Sequence, residues 1–139
     1  MHITIHTDGG SLHNPGPAAC SYIISKENKE VLEKKALFLG NQTNNYAEYS
    51  AVQNALSAVL RLKTAHKISS VSFISDSLLM VSQLNGVYKV KNERIREFVF
   101  AIRSLEQQIN LPVKYSHVLR EKNEDADALI KECLAPYYS

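Results

Sequence analysis

The sequence predicts an α/β fold in which an antiparallel meander of strands is followed by alternating strands and helices. Two observations support this prediction. Three short apolar segments near the amino terminus are joined by segments rich in turn-forming residues. From residue 45 onward, segments with the helical spacing of apolar residues alternate with strand-like segments, which is typical of parallel strands joined by helical crossovers.

The first three strands are placed by their apolar pattern and by the turns between them. Residues 2–8, HITIHTD, alternate apolar and polar side chains and stop at the turn-forming segment GGSLHNPGP. Residues 18–25 and 31–39 are rich in apolar and β-branched side chains, and the polar segment KENKE separates them. These connections favour an antiparallel meander.

A long helix is predicted over 45–62, because its apolar residues recur at about 100° per residue along one face. The same reasoning gives the remaining elements. They are, in order, a strand at 71–76, a short helix at 77–84, a helix at 93–109, a strand at 113–119 and a final helix that begins after Asn123.

Composition narrows the class of protein. The chain has 139 residues, of which 45% are hydrophobic and 22% charged, as expected of one globular domain spanning residues 1–139. No apolar run approaches the roughly 18 residues of a membrane span, and no signal-peptide pattern is present, so we expect a cytoplasmic protein and, by default, a monomer. Cys20 and Cys133 form no CxxC pair and are expected to be core thiols.

Three acidic residues stand out by position. Asp8 and Asp76 each end a predicted strand, and ligands of α/β sheets bind at the carboxyl ends of strands. Glu48 lies in the apolar face of the first long helix, where an unpaired carboxylate carries a desolvation cost. Three such oxygen ligands favour Mg²⁺ or Mn²⁺, and two ions would suit phosphodiester hydrolysis.

Each acid also has a purely structural interpretation. Asp8 suits a turn, and Asp76 could cap the helix that follows it. Glu48 could close a capping box with Asn45 at the start of the long helix. These alternatives stay open for each residue taken alone, and they weaken when the three acids are taken together.

Four segments of the sequence resemble the motifs of the ribonuclease H type 1 family, in the family's order: TDGGSLHNPGPAA, TNNYAEYSAV, SDSLLMVSQLNGVYKVKN and HVLREKNEDADAL. The resemblance covers nearly the whole chain. It implies a mixed five-stranded sheet, with three antiparallel strands followed by two parallel strands, flanked by helices. It also implies an endonuclease that cleaves the RNA strand of RNA/DNA hybrids with two Mg²⁺ ions. By match to the motifs, Asp8, Glu48 and Asp76 are the first three of four catalytic, metal-binding carboxylates.

The fourth carboxylate is Asp127 or Asp125, because both flank the apolar stripe of the last helix at nearly equal angles. With Asn123 as the N-cap, the helix dipole accounts for the acids of the first turn, whereas Asp127 lies one step deeper. The family places its aspartate four residues after an asparagine. The resemblance therefore selects Asp127, with Asp125 as the alternative.

The resemblance also implies residues that contact the hybrid. The candidates are Gly9, Gly10, Asn14, Thr43, Asn44, Asn45, Lys89 and Lys91. The asparagines match positions that sense 2′-hydroxyl groups in the minor groove, and Thr43 matches a position that binds a DNA phosphate. The lysines, with Arg94, would add phosphate contacts. Helix capping for the asparagines and a solvated face for the lysines are the alternatives.

Two departures from the family affect its expected activity. Many members carry a histidine in the loop before the last helix, but the segment LREKNED has none, and His117 is expected to be structural or on the surface. Arg120, Glu121 or Lys122 could substitute in part, or turnover could be slower. The long basic segment of some members is replaced by GVYKVKN, so we expect modest, salt-sensitive substrate affinity.

The same residues argue against two rival functions. Proofreading-type exonucleases of this fold need an acid where Gly10 stands, and no GxSxG motif supports a serine hydrolase. A non-catalytic nucleic-acid-binding module remains the alternative, although all four carboxylate positions are filled.

Overall fold

The structure, a computed structural model, describes residues 1–138. The strands are β1 (His2–Ser11), β2 (Gly16–Lys26), β3 (Val31–Gln42), β4 (Ser70–Ser75) and β5 (Val113–His117). The helices are α1 (Asn44–His66), α2 (Leu78–Leu84), α3 (Glu93–Ile109) and α4 (Glu124–Leu134), with 3-10 turns at Arg120–Lys122 and Ala135–Tyr137. The predicted types and order of the strands and α-helices are confirmed.

The five strands form one mixed sheet in the order β3-β2-β1-β4-β5. β2 pairs antiparallel with both β1 and β3, whereas β4 pairs parallel with β1 and β5. The fold class that the sequence predicted is therefore confirmed. The parallel pairing places the carboxyl ends of β1 and β4 at the same end of the sheet.

Helices cover the two faces of the sheet unequally. The main core lies between the sheet and helices α1 to α3, and its largest buried side chains include Tyr49, Leu56 and Phe73. A second, smaller core lies under α4, around Ile130 and Leu134. In β1, Gly9 contacts α1 and the next residue, Gly10, faces Ile130 of α4. Because successive residues of a strand face opposite sides of the sheet, α1 and α4 lie on opposite faces.

Some predicted ends of the elements were wrong. The first strand does not stop at Asp8 but continues to Ser11, because β2 pairs with it as far as Ser11 opposite Ala18. The two glycines predict a turn, but pairing with Cys20 and Ala19 of β2 keeps them extended. α1 continues beyond residue 62 to His66 and ends at Lys67, which has a left-handed conformation with φ of 51°.

Two smaller expectations can be checked against the packing. Cys20 is fully buried and Cys133 partly buried, both as free thiols, so the core assignment is confirmed for Cys20 and only half met for Cys133. Of the helices within residues 1–138, none combines the length and apolar character needed to cross a bilayer.

Candidate metal centre and hybrid-binding surface

A backbone contact between β1 and α1 builds the base of the candidate site. A Cβ added to Gly9 would lie 2.3 Å from the carbonyl carbon of Ala47 and 2.4 Å from the backbone nitrogen of Glu48. Only glycine allows this approach, because real Cβ atoms essentially never come closer than about 3 Å to such atoms. The contact places the preceding residue, Asp8, beside Glu48.

Three of the predicted carboxylates converge here. One carboxylate oxygen from each of Asp8, Glu48 and Asp76 lies within 4.8 Å of the other two. Asp8 comes from β1, Glu48 from α1, and Asp76 directly follows β4. The parallel pairing of β1 with β4 and the contact of β1 with α1 therefore account for the cluster.

Burial and mutual repulsion make Asp8 and Glu48 poor anions without a cation. Burial, and then the charge of Asp76, raises the pKa of Asp8 to about 8. Burial, followed by the charges of Asp8 and Asp76, also raises the pKa of Glu48 well above its usual range. Within residues 1–138, the buried atoms Glu48 Oε2 and Asp76 Oδ2 have no hydrogen-bond partner. Three converging carboxylates, two of which have unpartnered oxygens, fit a hard divalent cation.

The structural interpretations of Glu48 and Asp76 were wrong, because other side chains cap the helices. Thr43 is the N-cap of α1, and its hydroxyl accepts a hydrogen bond from the Tyr46 N–H at 3.1 Å. Ser77 caps α2 in the same way. Asp8 does accept the N–H of Gly9 at 2.9 Å, but inside a strand and not in a turn.

Asp127 and Asp125, the two candidates for the fourth carboxylate, lie on different sides of α4. After burial and the charge of Asp76, the charge of Asp127 also helps to raise the pKa of Asp8, so Asp127 lies near it. Within residues 1–138, Asp127 is not part of the group of three carboxylates that converge within 4.8 Å, and its Oδ2 lies 3.1 Å from Lys131 Nζ. Asp125 lines a cleft on the other side of the helix, near His6. Depth along the helix does not distinguish them, because both acids lie in the first turn.

Asn123 stands at the N-cap position of α4 but does not cap the helix with its side chain. Its Nδ2 instead donates to the carbonyl oxygen of Thr7 at 2.8 Å, and the side chain is almost fully buried. The predicted capping bond was therefore wrong. The observed bond ties the start of α4 to β1 one residue before Asp8.

The loop before α4 brings a cation to the cluster. Arg120 Nε lies 3.8 Å from Asp76 Oδ2, and the positive charge of Arg120 lowers the pKa of Glu48 against the raising effect of burial. His117 is exposed at the end of β5, as expected of a surface imidazole.

Two of the predicted asparagines join the hairpin after β1 to the start of α1. The backbone N–H of Asn44 donates to Asn14 Oδ1 at 3.0 Å, and the N–H of Ser11 donates to Asn44 Oδ1 at 2.8 Å. With Asn45, these side chains line one cleft of about 420 Å³. The rest of its lining is Gly9, Glu48, Asp76, Ser77, Leu79 and Arg120. The asparagine surface, formed by Asn14, Asn44 and Asn45, thus shares this cleft, which we call the central cleft, with Glu48 and Asp76, two of the three converging carboxylates.

A neighbouring cleft combines the predicted phosphate contacts Thr43 and Arg94 with two residues that the sequence did not single out, Tyr46 and Asn92. Thr43 lines it together with Tyr46, Asn92 and Arg94, and the Arg94 guanidinium lies 4.7 Å from the centre of the Tyr46 ring. No sequence pattern links these residues, because tertiary packing of α1 and α3 brings them together. The arrangement can bind an anion beside the Thr43 hydroxyl.

The remaining predicted residues lie farther from the cluster. Lys89 and Lys91 are exposed in the segment between α2 and α3, and neither lines the two clefts just described. Gly10 faces α4, where an added Cβ would meet only Ile130 at 3.8 Å within the described chain. The absence of a side chain is therefore not required at Gly10 as it is at Gly9.

Comparison with known proteins gives consistent matches. A family described as Reverse transcriptase-like matches residues 6–133. Ribonuclease HI of Halobacterium salinarum is 32% identical over 127 residues, covering 91% of this chain and 61% of that protein. A bifunctional protein of Mycobacterium tuberculosis is 30% identical over 135 residues, covering 96% of this chain, which spans only 36% of the length of that relative.

Solved structures agree over the whole fold. The crystal structure of LC11-RNase H1 in complex with an RNA/DNA hybrid superposes with a TM-score of 0.91 at 34% identity and covers 99% of both chains. Because the sequence match, the strand order and this superposition extend over nearly all of its length, the chain belongs to the ribonuclease H type 1 family.

Proposed function

We propose that this protein is a ribonuclease H that hydrolyses the RNA strand of RNA/DNA hybrids with two divalent ions. One observation carries the proposal: three buried carboxylates, two of them with unpartnered oxygens, converge within 4.8 Å at the base of a cleft lined by asparagines. The ions would be Mg²⁺, with Mn²⁺ as the second choice, because both prefer carboxylate oxygen. The complex of LC11-RNase H1 with a hybrid supports the same substrate.

The carboxylates would hold the ions, and they set the charge of the site. Asp8, Glu48 and Asp76 would bind directly, and Asp127, beside Asp8, would complete the set once it releases Lys131. Divalent cations supply Lewis-acid stabilisation of the charge that builds up on phosphoryl oxygens. In the reaction, a water molecule loses a proton as its oxygen bonds to phosphorus, and the bond from phosphorus to the leaving sugar oxygen breaks as that oxygen takes up a proton to become a hydroxyl.

The two clefts would distinguish the strands of the hybrid. The amide groups of Asn14, Asn44 and Asn45 lie beside the carboxylates, where they can contact 2′-hydroxyl groups of the RNA strand. Thr43 and Arg94 line the neighbouring cleft, where they can bind a phosphate of the DNA strand. Lys89 and Lys91 would act at longer range, through charge.

The alternative is a nucleic-acid-binding module without catalytic activity. The cluster argues against it, because crowded buried carboxylates destabilise a fold that does not use them. We also propose that the protein is a single domain that acts as a monomer in the cytoplasm.

The test is a cleavage assay on a hybrid whose RNA strand is labelled, with Mg²⁺ or with a chelator. Duplex DNA and duplex RNA serve as substrate controls, and Glu48→Gln serves as the protein control, because it keeps shape while removing a ligand charge. We expect cleavage of the hybrid alone, only with the metal ion, and only by the unsubstituted protein. Binding of the hybrid without any cleavage would favour the alternative.

A further inference from the structure

Arg120 lies where the carboxylate cluster opens to the surface. It belongs to the 3-10 turn between β5 and α4, and Asn123 fixes the end of that turn to β1 by its bond to the Thr7 carbonyl. The Arg120 side chain is 83% exposed, whereas the Asp76 side chain it faces is only 6% exposed. The backbone of the turn is therefore anchored while the guanidinium is free to move.

The contact between Arg120 and Asp76 is loose. The separation of 3.8 Å is longer than a hydrogen bond, and Asp76 Oδ2 has no hydrogen-bond partner within residues 1–138. Ion pairs with one exposed partner contribute little to stability. The guanidinium can therefore leave Asp76 at small cost when another cation takes its place.

Arg120 is also the cation of the central cleft. Among the described residues that line this cleft with Glu48, Asp76 and the asparagines, it alone carries a positive charge. A phosphodiester entering the cleft would bring negative charge next to carboxylates. The planar guanidinium can donate two parallel hydrogen bonds to a phosphate, which an ammonium group cannot do with the same geometry.

We propose that Arg120 exchanges partners during the reaction, an inference that rests on the proposed ribonuclease H activity. Before the divalent ions bind, Arg120 neutralises Asp76 and Glu48. Once the ions are bound, it contacts the phosphate of the RNA strand in the central cleft. It occupies the loop in which related enzymes carry a histidine, but a guanidinium stays charged and acts through its charge and not by proton transfer.

The first measurement is the single-turnover cleavage rate of a hybrid at saturating protein and Mg²⁺. Arg120→Gln should slow cleavage by about 10- to 100-fold, the usual cost of losing a hydrogen bond to a charged group. Arg120→Lys should give an intermediate rate, because it keeps the charge but not the paired donors. Lys34→Gln removes the same charge from an exposed position on β3 and should cleave like the unsubstituted protein.

The second measurement is the affinity for Mg²⁺ alone, by calorimetric titration without nucleic acid. Arg120→Gln should bind Mg²⁺ several-fold more tightly, because a competing positive charge has been removed. Tighter metal binding together with slower cleavage is the signature of partner exchange, since general damage to the site would weaken both. Thermal melting of each variant checks that the fold is intact.

Three results for the variant would overturn this inference alone. Equal cleavage by Arg120→Gln and the unsubstituted protein would exclude a phosphate contact. Parallel losses of metal affinity and cleavage would make Arg120 a structural support, and parallel gains would make it a counter-ion only. Failure of the unsubstituted protein to cleave the hybrid would instead overturn the proposed function, and this inference with it.

Discussion

The carboxylate cluster and the asparagine surface meet in one cleft, but they are held together in opposite ways. Asp8, Glu48 and Asp76 are close although they repel one another and although burial raises the pKa of two of them. Asn14 and Asn44 are close because each accepts a backbone hydrogen bond that joins the hairpin to α1. The cluster therefore costs stability and the asparagine surface provides it, so substitutions in the two regions should have opposite effects on folding.

The largest effect is expected for Asp76→Asn. We expect it to slow hybrid cleavage by about a hundredfold or more, because a charged ligand of a two-metal site provides several kcal/mol of barrier lowering. The metal-free variant should melt at the same temperature as the parent or higher, because one like charge has been removed. Cleavage kinetics and thermal melting with a chelator measure the two effects. A large drop in melting temperature would place Asp76 with the stabilising region instead.

The next test compares the two acids of α4. Asp127→Asn should reduce single-turnover cleavage by orders of magnitude, because Asp127 lies beside Asp8. Asp125→Asn should leave cleavage nearly unchanged and cost about 0.3 to 1 kcal/mol of helix stability, because it only removes a favourable interaction with the helix dipole. Equal losses of cleavage would mean that both sides of α4 take part.

The repulsion in the cluster predicts an unusual dependence of stability on pH. Without metal, folded Asp8 keeps its proton up to a pKa of about 8, whereas an unfolded aspartate loses it near 3.8. The folded state therefore binds more protons between these values, and its stability should fall as pH rises from about 4 to 8. Melting temperatures measured with a chelator should show this fall, and added Mg²⁺ should reverse it at pH 8. Asp8→Asn should flatten the curve; an equally steep curve would show that the slope arises elsewhere.

The smallest effect is expected in the stabilising region. Asn44→Ala removes the acceptor of the Ser11 N–H and should lower the free energy of unfolding by about 1 kcal/mol, the usual net value of one hydrogen bond. Asn45→Ala is the matched control, because Asn45 lines the same cleft without bridging the hairpin to α1. Denaturant unfolding measures both. An unchanged stability for Asn44→Ala would remove the contrast between the two regions.

The sequence predicted the fold well because its local signals agree with the tertiary structure. Alternation and helical spacing identified the strands and α-helices, and the connections between them indicated antiparallel and then parallel pairing. The resemblance added that all five strands form one mixed sheet. The predicted ends of elements were wrong where pairing with another strand determines the end. For example, pairing with β2 extends β1 through Gly9 and Gly10 to Ser11.

The candidate site was predictable only in part, for a geometric reason. Asp8, Glu48 and Asp76 could be found from strand ends and one apolar stripe, and the structure brings them together. Asp127 and Asp125 could not be separated by periodicity, because both flank the stripe and only the direction toward β1 distinguishes them. No sequence pattern predicts the contact of Arg94 with Tyr46, because the two residues lie 48 positions apart in the chain and on different helices.

The close approach at Gly9 has a consequence for the precision of the cluster. The distance between two side chains is better fixed when few rotatable bonds separate each of them from a rigid backbone contact. Here the backbone of Gly9 contacts the peptide group between Ala47 and Glu48. Asp8 adjoins this contact, and Glu48 contributes its own backbone nitrogen to it. Substitutions elsewhere in the core can therefore repack side chains between β1 and α1 while leaving the spacing of these two carboxylates nearly constant.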